Sequence, residues 1–173
     1  MPRFVLISGA NDSGKSRFAE QLIASTTGDR YYIATMRPCT AENGLRIEKH
    51  RRQRNGLGFQ TLELPCQIQD APVTPDSVVL LEDVSNLLAN VMFEQGGSAD
   101  LVYREICGLL ARCRLLVAVT ISGLCADGFE AQTAAYINAL NQLNQDLQGL
   151  AKVAVTMQNG LPVYEKGDVR ALV

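Results

Sequence analysis

Four apolar residues in a row, Phe4-Val5-Leu6-Ile7, begin the pattern, followed by a glycine-rich turn and then Phe18, Leu22 and Ile23 at helical spacing. That order predicts a buried strand, a loop and a helix starting near Lys15 and fading at Thr26-Thr27-Gly28-Asp29. Tyr31-Tyr32-Ile33-Ala34-Thr35 is aromatic and β-branched, and reads as a second strand with Thr35 at its C-terminal end. Pro38 stops regular structure, Thr40 is placed to cap, and residues 41–54 read as a helix closed by Asn55-Gly56. Alternation from Phe59 to Leu64 gives a third strand, ended by Pro65, and Val78-Val79-Leu80-Leu81 a fourth, followed at once by Glu82 and Asp83. Val84, Leu87, Leu88, Val91 and Met92 then share one side of a helix that Gly96-Gly97-Ser98 interrupts, and Val102, Ile106, Leu109 and Leu110 mark another. The unbroken run from Leu115 to Ile121 is the pattern of a strand buried on both faces, with residues 122–127 as its exit loop. A long helix over residues 130–150, a strand from Lys152 to Met157, a turn at Asn159-Gly160 and a return strand over residues 161–165 complete the chain. Strands alternating with helices imply an α/β fold: a mostly parallel sheet with helices on both faces and a C-terminal hairpin. No repeat, linker or low-complexity segment divides residues 1–173, so one domain is expected.

Composition narrows the function classes. With 47% hydrophobic and 20% charged residues the chain is ordinary for a soluble globular protein, and a net charge of −2 argues against a broad nucleic-acid-binding surface. The apolar runs are too short to span a bilayer, so no membrane partner and a cytoplasmic location are expected. Cys39, Cys66, Cys107, Cys113 and Cys125 are scattered and form no Cys-x-x-Cys pair, so they read as buried apolar side chains rather than disulfides or a zinc site.

Chemistry concentrates in Gly9-Ala10-Asn11-Asp12-Ser13-Gly14-Lys15-Ser16. Two glycines free to take unusual torsions let successive N–H groups turn toward phosphate oxygens, and the following helix adds its positive end. Lys15 is placed to reach the terminal phosphates of a nucleotide and Ser16 to ligate Mg2+. Asp12 sets a carboxylate in a loop meant for anions; it either points to solvent or weakens binding. The acids after the fourth strand complete the pattern, with Glu82, rather than Asp83, expected to hold the magnesium. Thr35, Met36 and Arg37 leave the second strand where parallel sheets bind ligands, so they either touch nucleotide or merely exit the strand.

The helix over residues 41–54 is the most basic segment. Arg46, Lys49, Arg51, Arg52 and Arg54 surround His50, the only histidine, with Glu48 as the nearby counter-charge. Arg46, His50 and Arg54 recur at steps of four, a face suited to polyphosphate. Two readings stand for His50. It can be a neutral nucleophile attacking phosphorus, kept unprotonated by the cations around it, or a histidine carried on a solvated basic helix.

Taken together, these segments resemble the bifunctional adenosylcobinamide kinase and adenosylcobinamide-phosphate guanylyltransferase family of cobalamin biosynthesis. The resemblance rests on Ser13-Gly14-Lys15-Ser16-Arg17 with Ala19-Glu20, Tyr32-Ile33-Ala34-Thr35, Arg46-Ile47 ahead of His50, and Arg54. It continues through Phe59, Thr61, Glu63, Pro65, Leu80-Leu81-Glu82, Asn90, Asn144-Gln145 and Gly160-Leu161-Pro162. It implies a three-layer P-loop NTPase (RecA-like) fold, ATP or GTP as substrate, and a corrinoid whose side-chain hydroxyl is phosphorylated. By the same resemblance His50 is guanylylated by GTP before passing GMP to the phosphorylated corrinoid. Thr35 to Arg37, Arg51, Arg52, Gln53, Arg54, Glu63 and Glu82 are implied to bind nucleotide or metal, and the assembly is implied to be a trimer. The chain departs from the family at Asp12, where arginine is usual, and at Ile121-Ser122-Gly123-Leu124, where Asn-Glu-Val-Gly is usual. It departs again at Ile137-Asn138-Ala139-Leu140-Asn141 in the long helix. A different small-molecule kinase, or a nucleotide-binding module without turnover, are the readings those departures leave open.

Overall fold

The computed structural model describes residues 3–172. Seven strands form one sheet: β1 (Arg3–Gly9), β2 (Arg30–Ala34), β3 (Phe59–Glu63), β4 (Val78–Glu82), β5 (Leu115–Ile121), β6 (Val153–Gln158) and β7 (Leu161–Lys166). Their order across the sheet is β3-β2-β4-β5-β1-β6-β7, and every neighbouring pair is parallel except β6 and β7. The helices are α1 (Lys15–Ala24), α2 (Ala41–Arg54), α3 (Val84–Gln95), α4 (Ala99–Leu110) and α5 (Ala131–Leu150).

Period-two alternation along the strands sorts the core into two layers. Phe4, Leu6, Ile33, Leu81, Leu116 and Ala118 pack against α3, α4 and α5, while Val5, Ile7, Leu80, Val117, Val119 and Val155 pack against Ala19, Leu22 and Ile23 of α1. This double burial explains why β5 has no polar alternation. Each large side chain so buried contributes about 1.5–3 kcal/mol. Helix α2 places no residue in either layer.

Register decides where the site lies. Gly9 pairs with Ile121, Glu82 with Val119 and Ala34 with Glu82, so β1, β2, β4 and β5 end at one edge of the sheet. The loop after β1 and the acids after β4 therefore meet there. At the same edge, after β6, Asn159 (φ 51) and Gly160 (φ 79) turn the predicted hairpin with both central residues left-handed, the geometry that matches strand twist.

Three details differ from expectation. Thr35 lies just beyond β2, although its N–H still donates to the Glu82 carbonyl of β4 at 3.0 Å. A short 3-10 turn, Ile68–Asp70, buries Ile68 completely under the α3–α5 layer. Of the cysteines only Cys113 is buried, while Cys39 and Cys125 are exposed, since both fall in loops that no apolar periodicity constrains. Among the described residues, no helix is long and apolar enough to cross a membrane.

Candidate active site

The loop between β1 and α1 is shaped by its backbone. Gly14 (φ 91) caps α1 without a side-chain hydrogen bond, so no side chain claims the N–H groups of the first turn. Asp12 is also left-handed (φ 56). Two neighbours brace the loop: the Gly160 N–H donates to the Ser13 carbonyl at 3.2 Å, and the Ser122 N–H to the Gly9 carbonyl at 3.1 Å. Lys15 is 7% exposed and its ammonium donates to the Ala10 carbonyl at 2.6 Å, while burial lowers its pKa. Beyond the loop is a cavity of about 310 Å³ whose walls carry Lys15, Ser16, Arg46, Lys49, His50 and Glu82.

The Ser16 hydroxyl donates to Glu82 Oε1 at 2.6 Å, while Glu82 Oε2 is buried with no partner among the described residues. Burial first, then the Asp83 charge, pushes the Glu82 carboxyl up to about 8. A hydroxyl beside an orphaned carboxylate oxygen fits Mg2+, which keeps waters and phosphate oxygens as its other ligands. No cluster of three or more His, Cys, Asp or Glu among the described residues forms a full protein cage. Asp83 is committed elsewhere: its Oδ1 accepts from the Asn86 N–H at 2.7 Å and Nδ2 at 3.0 Å, capping α3.

Helix α2 starts at the expected cap, Thr40 accepting from the Asn43 N–H at 3.0 Å, and ends at Arg54. Arg46, Lys49, His50 and Gln53 face the phosphate-loop cavity. Gly44, Ile47, Arg51 and Arg54 face a second cavity of about 470 Å³, shared with Tyr32, Arg37, Pro65 and Glu63. Four residues, Met36, His50, Glu82 and Asp83, line both. The imidazole thus stands on the wall between a cationic cavity and a larger neighbour. Burial, then Arg46, Arg54 and Lys49 against the weaker opposing effect of Asp12, lowers its pKa from 6.5 to about 4. Nδ1 is buried without a partner among the described residues.

That shift is directly measurable, because His50 is the only histidine and gives one set of imidazole resonances. Its NMR titration is expected to centre near 4 rather than 6.5. Since the unfolded chain then takes up the proton first, His50 leaves stability untouched above about pH 6.5 and lowers it as pH falls from there toward 4. A midpoint near 6.5 would show an imidazole outside this wall.

The other sequence candidates divide. Asn11, Asp12, Ser13 and Gly14 line the first cavity, and the Asp12 carboxylate is 82% exposed, 3.9 Å from Lys49, so it lies toward solvent. Gly9 and Ala10 form the turn behind the cavity without lining it. Thr35 requires correction as a ligand contact: it is fully buried, and its hydroxyl bonds the backbone of Asp83 at 2.8–2.9 Å, fixing the Glu82-Asp83 segment. Arg52 is also corrected; it pairs with Glu48 at 3.2 Å and lines neither cavity, standing two residues past His50 and so about 200° round the helix from it. Arg51 pairs with Glu63 at 2.8 Å and Arg37 with Glu94 at 2.6 Å beside the second cavity. Arg54 is buried with its guanidinium 4.0 Å over the Tyr32 ring. The sequence places Arg46 on a polyphosphate face with His50 and Lys49 among the surrounding cations, without assigning either to the nucleotide; both line the cavity with His50, Arg46 one turn before it and Lys49 next to it. Ile121 also reaches the first cavity, at the strand end where the resemblance expects a polar motif.

Comparison with known proteins follows the same lines. Residues 5–164 match the family described as cobinamide kinase / cobinamide phosphate guanyltransferase. The chain is 34% identical over 124 residues to the bifunctional adenosylcobalamin biosynthesis protein CobU of Escherichia coli (strain K12), covering 64% of this chain and 67% of that protein. It is 33% identical over 99 residues to the protein of the same name from Salmonella typhimurium (strain LT2), covering 56% of this chain and 54% of that one, little more than half its length. Among solved structures, a prototypical ATPase from the type III secretion system of pathogenic bacteria has a TM-score of 0.57 at 7% identity, covering 94% of this chain and 56% of its own. A Pyrococcus horikoshii OT3 protein has a TM-score of 0.54 at 8% identity, with 95% and 86% covered. Likenesses at such identities establish the P-loop α/β fold alone.

Proposed function

The chain belongs to the cobinamide kinase / cobinamide phosphate guanyltransferase family, and from that premise we propose that it catalyses both transfers, with His50 as the covalent nucleophile. One observation carries the reading: the His50 imidazole lines both the phosphate-loop cavity and the 470 Å³ cavity beside it, where burial and the neighbouring cations favour its neutral form. Lys15, the loop amides and the N-terminus of α1 hold the phosphates of a nucleoside triphosphate. An imidazole nitrogen attacks the α-phosphorus of GTP; the N–P bond forms, the bond to the β-phosphate oxygen breaks, and pyrophosphate departs among Lys15, Arg46 and Lys49. A phosphate oxygen of the corrinoid substrate, held on the side of the second cavity, then takes the guanylyl group and returns the free imidazole. In the kinase reaction the same loop presents the γ-phosphate to the corrinoid side-chain hydroxyl. Ser16 and Glu82 are the residues to hold Mg2+, which when bound neutralises charge on the transferring phosphates. By the same family relationship the working form is a cytoplasmic trimer.

Incubation with GTP labelled at the α-phosphate tests the covalent half. Acid-labile label on the wild-type chain, absent from His50→Ala, is the expected result. A wild-type chain that takes no label sinks it. Ile121 facing the cavity favours one second reading, a nucleotide-binding module without turnover, which predicts saturable nucleotide binding with neither labelled protein nor phosphorylated corrinoid.

A further inference from the structure

Helix α2 carries the reactive histidine yet has almost no apolar hold on the protein. Leu45 is 74% exposed and Arg54 is its only buried residue. A helix normally docks by burying an apolar stripe; α2 docks through polar contacts instead. Three of these are exposed and contribute little: Arg46 to Asn11 at 3.4 Å, Lys49 to Asp12 at 3.9 Å and Arg51 to Glu63 at 2.8 Å. Arg54 fixes the C-terminal end against Tyr32 and Thr61.

The contact of Gln53 is different. Its Nε2 donates at 2.7 Å to Oε2 of Glu20, a carboxylate on α1 that is 1% exposed. Glu20 Oε1 is buried with no partner among the described residues. A carboxylate buried with so few donors is costly to keep, and neither transfer described above uses it. Its place explains the arrangement. Glu20 stands one turn beyond Ser16 on α1, and Gln53 one turn beyond His50 on α2. The helix that begins at the phosphates therefore also grips the helix that bears the nucleophile.

We propose that Glu20 is a positioning residue: by holding Gln53 it docks α2 on α1 and keeps the His50 imidazole facing the phosphate cavity. The inference rests on His50 being the nucleophile, and two readouts separate its failure from failure of that reading. Single-turnover labelling by α-labelled GTP at saturating nucleotide should slow about 100-fold in Glu20→Ala, the scale of a displacement near 1 Å, while affinity for a non-hydrolysable GTP analogue changes less than about threefold, well under one pK unit of energy. Glu20→Gln, whose amide oxygen still accepts from Gln53, should label within about threefold of wild type, a hydrogen bond having been kept. The proposal is overturned if Glu20→Ala labels at the wild-type rate, or if both variants lose rate and affinity in parallel. The imidazole titration needs no turnover: Glu20→Ala should raise the His50 midpoint from near 4 toward 6.5, and Glu20→Gln should not. An unmoved midpoint in Glu20→Ala overturns the proposal even in a chain that never takes label.

Discussion

Lys15→Ala should lower phosphoryl transfer to the corrinoid and covalent labelling of His50 together, each by about 10²–10³-fold, the loss typical of one preorganised charge donor. The ammonium is buried, and the Ala10 carbonyl at 2.6 Å is its hydrogen-bond partner. Burial is the dominant influence on it and lowers its pKa, with Glu82 and Asp83 opposing. Such a group gains more from an arriving triphosphate than a solvated lysine does, because its desolvation is already complete when the ligand binds. Alanine removes that gain without removing a core contact, so the thermal midpoint should hold or rise while both rates fall. Rapid-quench kinetics with γ- and α-labelled nucleotide measure the two reactions separately. Loss of one with retention of the other would mean that the transfers use different phosphate sites, contrary to the single loop proposed.

How far the sequence discloses this site depends on what kind of constraint each residue meets. The phosphate loop is legible because its geometry is made by residue type: only glycine suits Gly14 at φ 91, and the lysine and serine follow in helical register. Strand β5 is legible because both faces are covered, so Leu116 and Leu115 are equally apolar although they belong to opposite layers. Thr35 misleads because a place at a strand end does not say which way a side chain points; it shares the inward face of Ile33 and satisfies backbone groups there. The basic helix misleads differently. Reading residues 51–54 as a block ignores the 100° step between neighbours, which turns Arg52 away while Arg46 and Lys49 join His50. Glu20 stands in the sequence only beside Ala19 as part of the resemblance, and nothing there marks it as buried, since its burial is created by Gln53 and Arg54 arriving from 33 and 34 residues away. Contacts of that kind belong to tertiary structure, and this is why the docking of α2 could not be read from a helix without an apolar stripe.

Gly9→Ala is expected to cost about 3 kcal/mol of stability and to weaken nucleotide binding with it. A Cβ at this position would lie 2.6 Å from the Ser13 hydroxyl and 2.9 Å from the Met157 carbonyl, on a backbone with φ +153. The hydroxyl can rotate away. The carbonyl cannot, because Met157 is the register partner of Gly9 in the parallel β1–β6 pair. Relief must therefore come from the phosphate loop, which is braced on the same side by the Gly160 N–H. Against a total of about 5–15 kcal/mol, such a loss shifts a denaturation midpoint plainly. Gly108→Ala serves as the control: it lies inside α4 with nothing within 4 Å of its added Cβ, and should stabilise by about 0.5–1 kcal/mol. Urea unfolding of both, at unchanged slope, checks the pair. Equal midpoints would show that the β1 exit tolerates a side chain, and that loop closure against β6 does not set the geometry of the phosphate cavity.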